Sequence, residues 1–166
     1  MAEVPFEPTR LFEVLGRHGV RFIVIGAVAA IAQGYPLPTE DLDITPEREH
    51  ENLERLAAAL RELNARLRLP RGTEAFPIEA AFLGSVDSWM LTTDAGDLDL
   101  LFAPAGTRGY DDLRTDASEA DLGTRVVIAS LRDVIRMKEA AGRPKDVAQL
   151  PALRQTLEVI RSREEP

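Results

Sequence analysis

Apolar positions along the chain fall into short blocks of two kinds. Arg21-Phe22-Ile23-Val24-Ile25 is a compact β-branched run, which predicts a buried strand that ends at Gly26. Val126-Val127-Ile128-Ala129 predicts another, and Ala65 to Leu69 a further candidate strand. Trp89 to Thr93 and Leu98 to Phe102 predict two strands, with Asp94-Ala95-Gly96 between them as a hairpin signal. Asp41-Leu42-Asp43-Ile44 alternates acid and apolar residues, the period of a strand with one buried face. Helical spacing appears elsewhere. Leu11, Phe12 and Leu15 after Pro8 predict a first helix that ends at Gly16 or Gly19. Val28 to Ala32 predicts a second, stopped near Gly34 and Pro36. Leu53, Leu56, Ala57, Leu60 and Leu63 form the stripe of a third, with Pro46 placed where it could start. Ser130, with Asp133 three residues on, resembles a helix-start cap ahead of Leu131 to Ala141. Gly142-Arg143-Pro144 ends that helix, and Asp146 to Arg163 predicts a last one, interrupted near Pro151. Residues 70–88, broken by Pro70, Gly72, Pro77 and Gly84, carry no clear period, and Pro104 to Tyr110 reads as a loop. The mixture predicts an α/β or α+β fold around a mixed central sheet flanked by helices, with C-terminal helices.

Composition narrows the chemistry. A chain of 166 residues suits a single domain, with a core over about 20–130 and a helical part over about 130–163. It has no cysteine, which excludes disulfides, thiolate metal sites and a cysteine nucleophile. Its two histidines, His18 and His50, fit no metal spacing and are expected at the surface. No apolar run approaches the ~20 residues of a membrane helix and no basic-then-apolar leader is seen, so the expected compartment is the cytoplasm. The net charge of −8 disfavours broad duplex binding. That charge is uneven. Residues 1–124 hold 11 arginines against 22 acids, whereas residues 125–166 hold 7 arginines and 2 lysines against 6 acids. The only lysines, Lys138 and Lys145, fall in one short window of this basic quarter.

Three features carry candidate chemistry. The first is Ile25-Gly26-Ala27-Val28, a strand-to-helix turn. Glycine there allows close backbone approach, and the helix start presents free N–H groups to an anion. A plain turn has the same residue need. The second is Thr39-Glu40-Asp41-Leu42-Asp43-Ile44, which projects Asp41 and Asp43 from one strand face. Paired carboxylates repel unless a cation sits between them, and a hard ion such as Mg²⁺ favours their oxygens. A solvated edge strand offers the bland alternative. The third is Gly96-Asp97-Leu98-Asp99-Leu100, from which Asp99, flanked by two leucines, is the better candidate than Asp97 to join the same cluster.

The order of strand, glycine turn, helix, Asp-h-Asp and later strand carboxylate resembles the nucleotidyltransferase superfamily that includes DNA polymerase β. Gly26-Ala27 and Asp41-Leu42-Asp43 carry that likeness. More closely, Ile25 to Ala30, Gly34-Tyr35-Pro36, Thr39 to Ile44 and the block Leu131 to Asp146 resemble bacterial nucleotidyltransferase-like proteins related to abortive-infection, type IV toxins. The likeness spans roughly Phe22 to Leu153. It implies a nucleotidyltransferase fold and a two-ion Mg²⁺ site on Asp41, Asp43 and Asp99, with Asp99 helping to activate the attacking hydroxyl. It further implies a nucleoside triphosphate substrate near Gly26, Ala27, Lys138, Lys145 and Asp146, a tRNA or protein acceptor, and a cognate antitoxin as partner. Asp146 also fits a plain role as an acid at a helix start, and Arg143 as a local counter-charge. Two positions depart from the pattern. Ala27 stands where relatives carry Gly or Ser, and Leu37 where many carry arginine.

Other polar residues carry less. Trp89 is expected in the core, Tyr110 with Gly106, Arg108 and Gly109 in a surface loop, and Ser85 and Ser130 lack a histidine partner for a hydrolase triad. Three functions stay open: an active nucleotidyltransferase, a non-catalytic binding module with the same fold, and a small-molecule (aminoglycoside) nucleotidyltransferase. The acidic surface suits a cationic drug, although the chain is short for an added acceptor-binding domain.

Overall fold

The structure, a computed structural model, describes residues 3–165; Met1, Ala2 and Pro166, the ends of the expected 1–166 domain, lie outside the described residues. The chain runs α1 (Pro8–Arg17), β1 (Phe22–Ile25), α2 (Gly26–Ala32), β2 (Asp41–Pro46), α3 (His50–Glu62), β3 (Arg66–Arg68) and β4 (Thr73–Glu74). It continues with α4 (Ala80–Leu83), β5 (Ser88–Thr93), β6 (Gly96–Leu101), α5 (Tyr110–Arg114), β7 (Ser118–Asp121), β8 (Arg125–Ile128), α6 (Leu131–Ala141) and α7 (Pro144–Glu164).

All eight strands join one mixed sheet in the order β4-β3-β5-β6-β2-β1-β8-β7. β2 runs antiparallel to β1 and parallel to β6, and β1 runs parallel to β8. The hairpin expected at Asp94 joins β5 to β6, pairing Thr93 with Gly96. The centre of the sheet is held by hydrophobic burial. Leu42 and Ile44 of β2, Leu98 and Leu100 of β6, and Ile23 and Val24 of β1 are fully buried. Each such side chain contributes about 1.5–3 kcal/mol by leaving water. Because side chains alternate across a strand, the leucines and Ile44 commit the intervening aspartates of β2 and β6 to the opposite face.

Two side-chain amides, buried Asn52 and half-buried Gln33, tie elements together. Asn52 of α3 accepts from Arg21 N (2.7 Å) and donates to the carbonyls of Arg21 (2.9 Å) and Glu47 (2.7 Å). Gln33, at the end of α2, donates to the carbonyls of Ala29 (2.9 Å) and Ala129 (3.0 Å) and accepts from Leu131 N (3.1 Å). It thereby ties the end of α2 to the start of α6. Ser130 caps α6 by accepting from Asp133 N, as the sequence pattern implied.

Three expectations are revised, and one strand is added that the pattern did not predict. Pro46 closes β2 opposite Phe22 instead of opening α3; it lies beyond the last residue paired with β6, so its missing N–H costs no bond on that side. Helix α7 runs unbroken through Pro151, which is exposed. The carbonyl it leaves unbonded is that of exposed Val147, and Leu150 and Leu153 bury the opposite side of the helix. Residues 70–88 contain β4 and α4, each too short to leave a period in the sequence. The polar stretch Ser118–Asp121 is an edge strand, where charged side chains protect an open edge.

Candidate active site

Register brings the aspartates together. In the parallel β2–β6 pair, Asp41 lies beside Asp97 and Asp43 beside Asp99. Carboxylate oxygens of Asp41, Asp43 and Asp99 lie within 4.8 Å of one another. Asp97 faces other partners: Thr92 Oγ1 donates to its Oδ1 (3.0 Å), and Arg68 Nη1 lies 3.5 Å from its Oδ2.

The three clustered carboxylates differ in how they are satisfied. Asp41 accepts from Thr39 Oγ1 at 3.0 Å. Asp99, 7 % exposed, accepts from Arg68 Nη2 at 2.8 Å. Asp43 has no hydrogen-bond donor among the described residues apart from the neighbouring acid. Burial pushes its carboxyl up to about 7, and the charges of Asp41 and Asp99 push the same way. Burial also raises Asp99, against the opposing pull of Arg68. A cluster that holds a proton so far above the ordinary carboxylate range is short of positive charge. Its donors are all oxygen, with no sulfur or imidazole, which fits a hard divalent ion.

Glycine at position 26 is required by this arrangement. Ile25 pairs with Asp43 across β1 and β2, so Gly26 turns directly over the Asp43 carboxylate. Its φ is +65°, and a Cβ there would collide with Asp43 Oδ2. α2 begins at this point with no side-chain cap, leaving the N–H groups around Gly26 and Ala27 without a side-chain partner.

A cavity of about 210 Å³ opens beside the cluster, lined by Gly26, Asp43, Pro104, Met137, Lys138, Arg143 and Asp146, among others. Its basic wall has a rigid support. Asp146 is fully buried and accepts from Lys138 Nζ (3.2 Å), Arg143 Nε (2.7 Å), Arg143 Nη2 (3.2 Å) and Arg143 N (3.2 Å). Burial would raise this carboxyl, but hydrogen bonds from Arg143 and Lys138 outweigh it and hold the group below its ordinary value. Asp146 therefore caps α7 and positions the cavity's cations together. Lys145 does not join them; it is exposed on the first turn of α7 and lines no described cavity. A larger cleft of about 670 Å³ lies on the Asp97 side, with Glu3, Glu40, Asn64, Arg66, Thr92 and Asp94 among its lining.

Structural comparison gives the architecture a name. TM1012 of Thermotoga maritima, described as a nucleotidyltransferase, is 18% identical, with 90% of this chain and 89% of that chain covered at a TM-score of 0.54. The chain has the nucleotidyltransferase fold. Lincomycin-bound LnuA, a lincosamide antibiotic adenylyltransferase, shares this fold at 12% identity and a TM-score of 0.62, over 93% of this chain and 99% of that one. The antibiotic-resistance factor ANT(2'')-Ia matches at 16% identity and 0.55, over 93% and 89%. No family model matches the chain, and comparison with curated proteins yields no relative. The LnuA match covers nearly the whole of both chains.

Two residues of this arrangement left no mark in the sequence pattern. Arg68 had no signal beyond sharing a strand face with Arg66, because its partners lie two strands away in the sheet. Gln33 looked like an ordinary helix-end residue. The remaining polar candidates have structural places. Trp89 is buried and donates to Leu83 O (2.9 Å), His18 pairs with Glu62 (2.9 Å) and His50 with Glu54 (2.8 Å). Leu37 is 51% exposed in the loop before β2.

Proposed function

We propose that the protein transfers a nucleoside monophosphate from a nucleoside triphosphate to an acceptor hydroxyl, within one nucleotidyltransferase-like domain. The observation that carries this reading is the Asp41–Asp43–Asp99 cluster, whose Asp43 lines a cavity shared with Lys138, in the nucleotidyltransferase fold. Asp41 and Asp43 would hold two Mg²⁺ ions, and Asp99 one of them. Paired divalent ions in such a site neutralise charge on the attacking and leaving oxygens of an in-line displacement. Lys138, held by Asp146, would meet the triphosphate as a point charge, and Arg143 replaces Lys145 as its basic neighbour. The N–H groups around Gly26 and Ala27 would face phosphate oxygens; Ala27 keeps its N–H but supplies no hydroxyl. The acceptor oxygen bonds to the α-phosphorus, the bond to the β-phosphate bridge breaks, pyrophosphate leaves, and Asp99 takes the acceptor proton.

For the acceptor, a small hydroxyl-bearing molecule with cationic groups is a second reading beside tRNA or a protein. The cleft next to Asp97 favours it, because Glu3, Glu40, Asp94 and Asp97 among its lining residues repel a polyanion and attract amines. The binding of lincomycin by LnuA supports small acceptors in this fold. A toxin role with a cognate antitoxin rests on the motif likeness alone, and a non-catalytic role rests on Ala27 and Leu37. Incubating the protein with α-labelled triphosphates, Mg²⁺ and separate pools of tRNA, protein and aminoglycosides or lincosamides tests these together. Label in one pool, with pyrophosphate release and loss in Asp43→Asn, is the expected result. No transfer in any pool, and no Mg²⁺-dependent thermal shift with triphosphate, would leave the binding-module reading.

A further inference from the structure

Arg68 is the one cation in direct contact with the carboxylate cluster among the described residues. It projects from β3 across β5 to β6, and its guanidinium is pinned at three points. Nη2 donates to Asp99 Oδ1 (2.8 Å), Nη1 donates to Leu91 O (2.8 Å), and Nη1 lies 3.5 Å from Asp97 Oδ2. The Arg68 side chain is 30% exposed and the Asp99 side chain only 10%. This is a fixed ion pair inside the site, and no feature of the proposed transfer chemistry calls for it.

We infer that Arg68 is a built-in counter-cation that keeps the cluster a poor site for free divalent metal, so that metal is retained only together with the triphosphate. The inference rests on the metal-site reading of Asp41, Asp43 and Asp99. Its physical basis is competition. Arg68 occupies one oxygen of Asp99, which leaves that carboxylate able to offer a cation only the other. Its positive charge also lies one carboxylate away from any ion in the cluster, and charges of like sign at such distances in a partly buried site repel strongly. A metal–triphosphate complex escapes both penalties. Its phosphate oxygens complete the coordination that Asp99 cannot, and its net negative charge is drawn to Lys138 and Arg143 across the cluster. Arg68 thus acts through Asp99 as a positioning residue, without touching the reacting atoms.

The test measures Mn²⁺ binding to the full chain without nucleotide, by calorimetry or by the spin-resonance signal of the free ion. Arg68→Met keeps the aliphatic stem and removes the charge; it is expected to bind Mn²⁺ at least tenfold more tightly than the wild type. Arg68→Lys keeps the charge and should stay within about threefold of the wild type. Arg125→Gln, at the far end of the sheet, controls for net charge and should change nothing. General damage to the site would weaken binding, so tighter binding separates the counter-cation role from a merely structural one. Equal or weaker binding by a folded Arg68→Met overturns the inference and leaves the metal-site reading standing. Absence of Mn²⁺ binding in both proteins, with and without triphosphate, overturns both.

Discussion

Two acidic groups, half-buried Asp43 and fully buried Asp146, face the same cavity, and they are built in opposite ways. Asp43 sits among carboxylates with no donor of its own, and burial and like charge drive its carboxyl to about 7. Asp146 sits among donors, taking four hydrogen bonds from Lys138 and Arg143, and is held below its ordinary value despite full burial. Both are aspartates on regular elements, and both would cost several kcal/mol to bury ionised and alone. The Asp146 cost is offset within the chain. The Asp43 cost is not, so that side of the cavity is complete only when positive charge arrives from outside. The contrast separates scaffold from site more sharply than residue type does.

The largest effect should come from Asp43→Asn. Nucleotidyl transfer should fall at least about 10³-fold, since several kcal/mol of charge stabilisation at the displaced oxygens depends on that carboxylate. Labelled-nucleotide transfer measures it; retention of a tenth of the activity would break the distinction between the two acids. Asp146→Ala should act on stability first. It leaves two cations unpaired and uncaps α7, so a loss of about 2–4 kcal/mol and a Tm lower by roughly 5–15 °C are expected in a thermal melt.

A smaller effect separates the two groups by pH. Asp43 keeps its proton to about 7 in the folded chain and gives it up near 3.8 when unfolded. Between those values folding takes up a proton, so metal-free stability should fall as pH rises through that window. A loss of about 2 kcal/mol, or roughly 4–8 °C in Tm between pH 5 and pH 8, is expected, and Asp43→Asn should flatten it. Asp146 has the opposite sign. Its contribution is present above the ordinary carboxylate range and disappears as acid protonates it below that range. Metal-free melts whose Tm rises from pH 5 to pH 8 would contradict the account of Asp43. The smallest change is Ser130→Ala, which removes one cap bond that neither acid takes part in. About 1 kcal/mol of stability should be lost, with transfer activity unchanged.

Local pattern made much of this molecule legible. The alternation in Asp41–Ile44 and Leu98–Leu100 put the carboxylates on one strand face and the leucines on the other, because a strand has period two whatever surrounds it. Ser130 as a cap, Gly142 as a stop and the two-residue hairpin at Asp94 are likewise local rules, and Gly142 indeed adopts φ +62°. Short elements failed for the same reason in reverse: β4, with two residues, has too few positions to show a period.

What the chain order could not reveal is pairing. Whether Asp99 or Asp97 met Asp43 depended on the β2–β6 register, and a slip of one residue would have turned the acids inward. Arg68 reached Asp99 only because β5 lies between β3 and β6 in the sheet. Of the two lysines, Asp146 drew Lys138 into the cavity wall, while Lys145, one residue before that acid, faces solvent. Periodicity is written residue by residue and survives in the sequence. Partners across a sheet or between helices are chosen by the packing of the whole core, and electrostatic consequences such as the raised Asp43 exist only once that packing removes water.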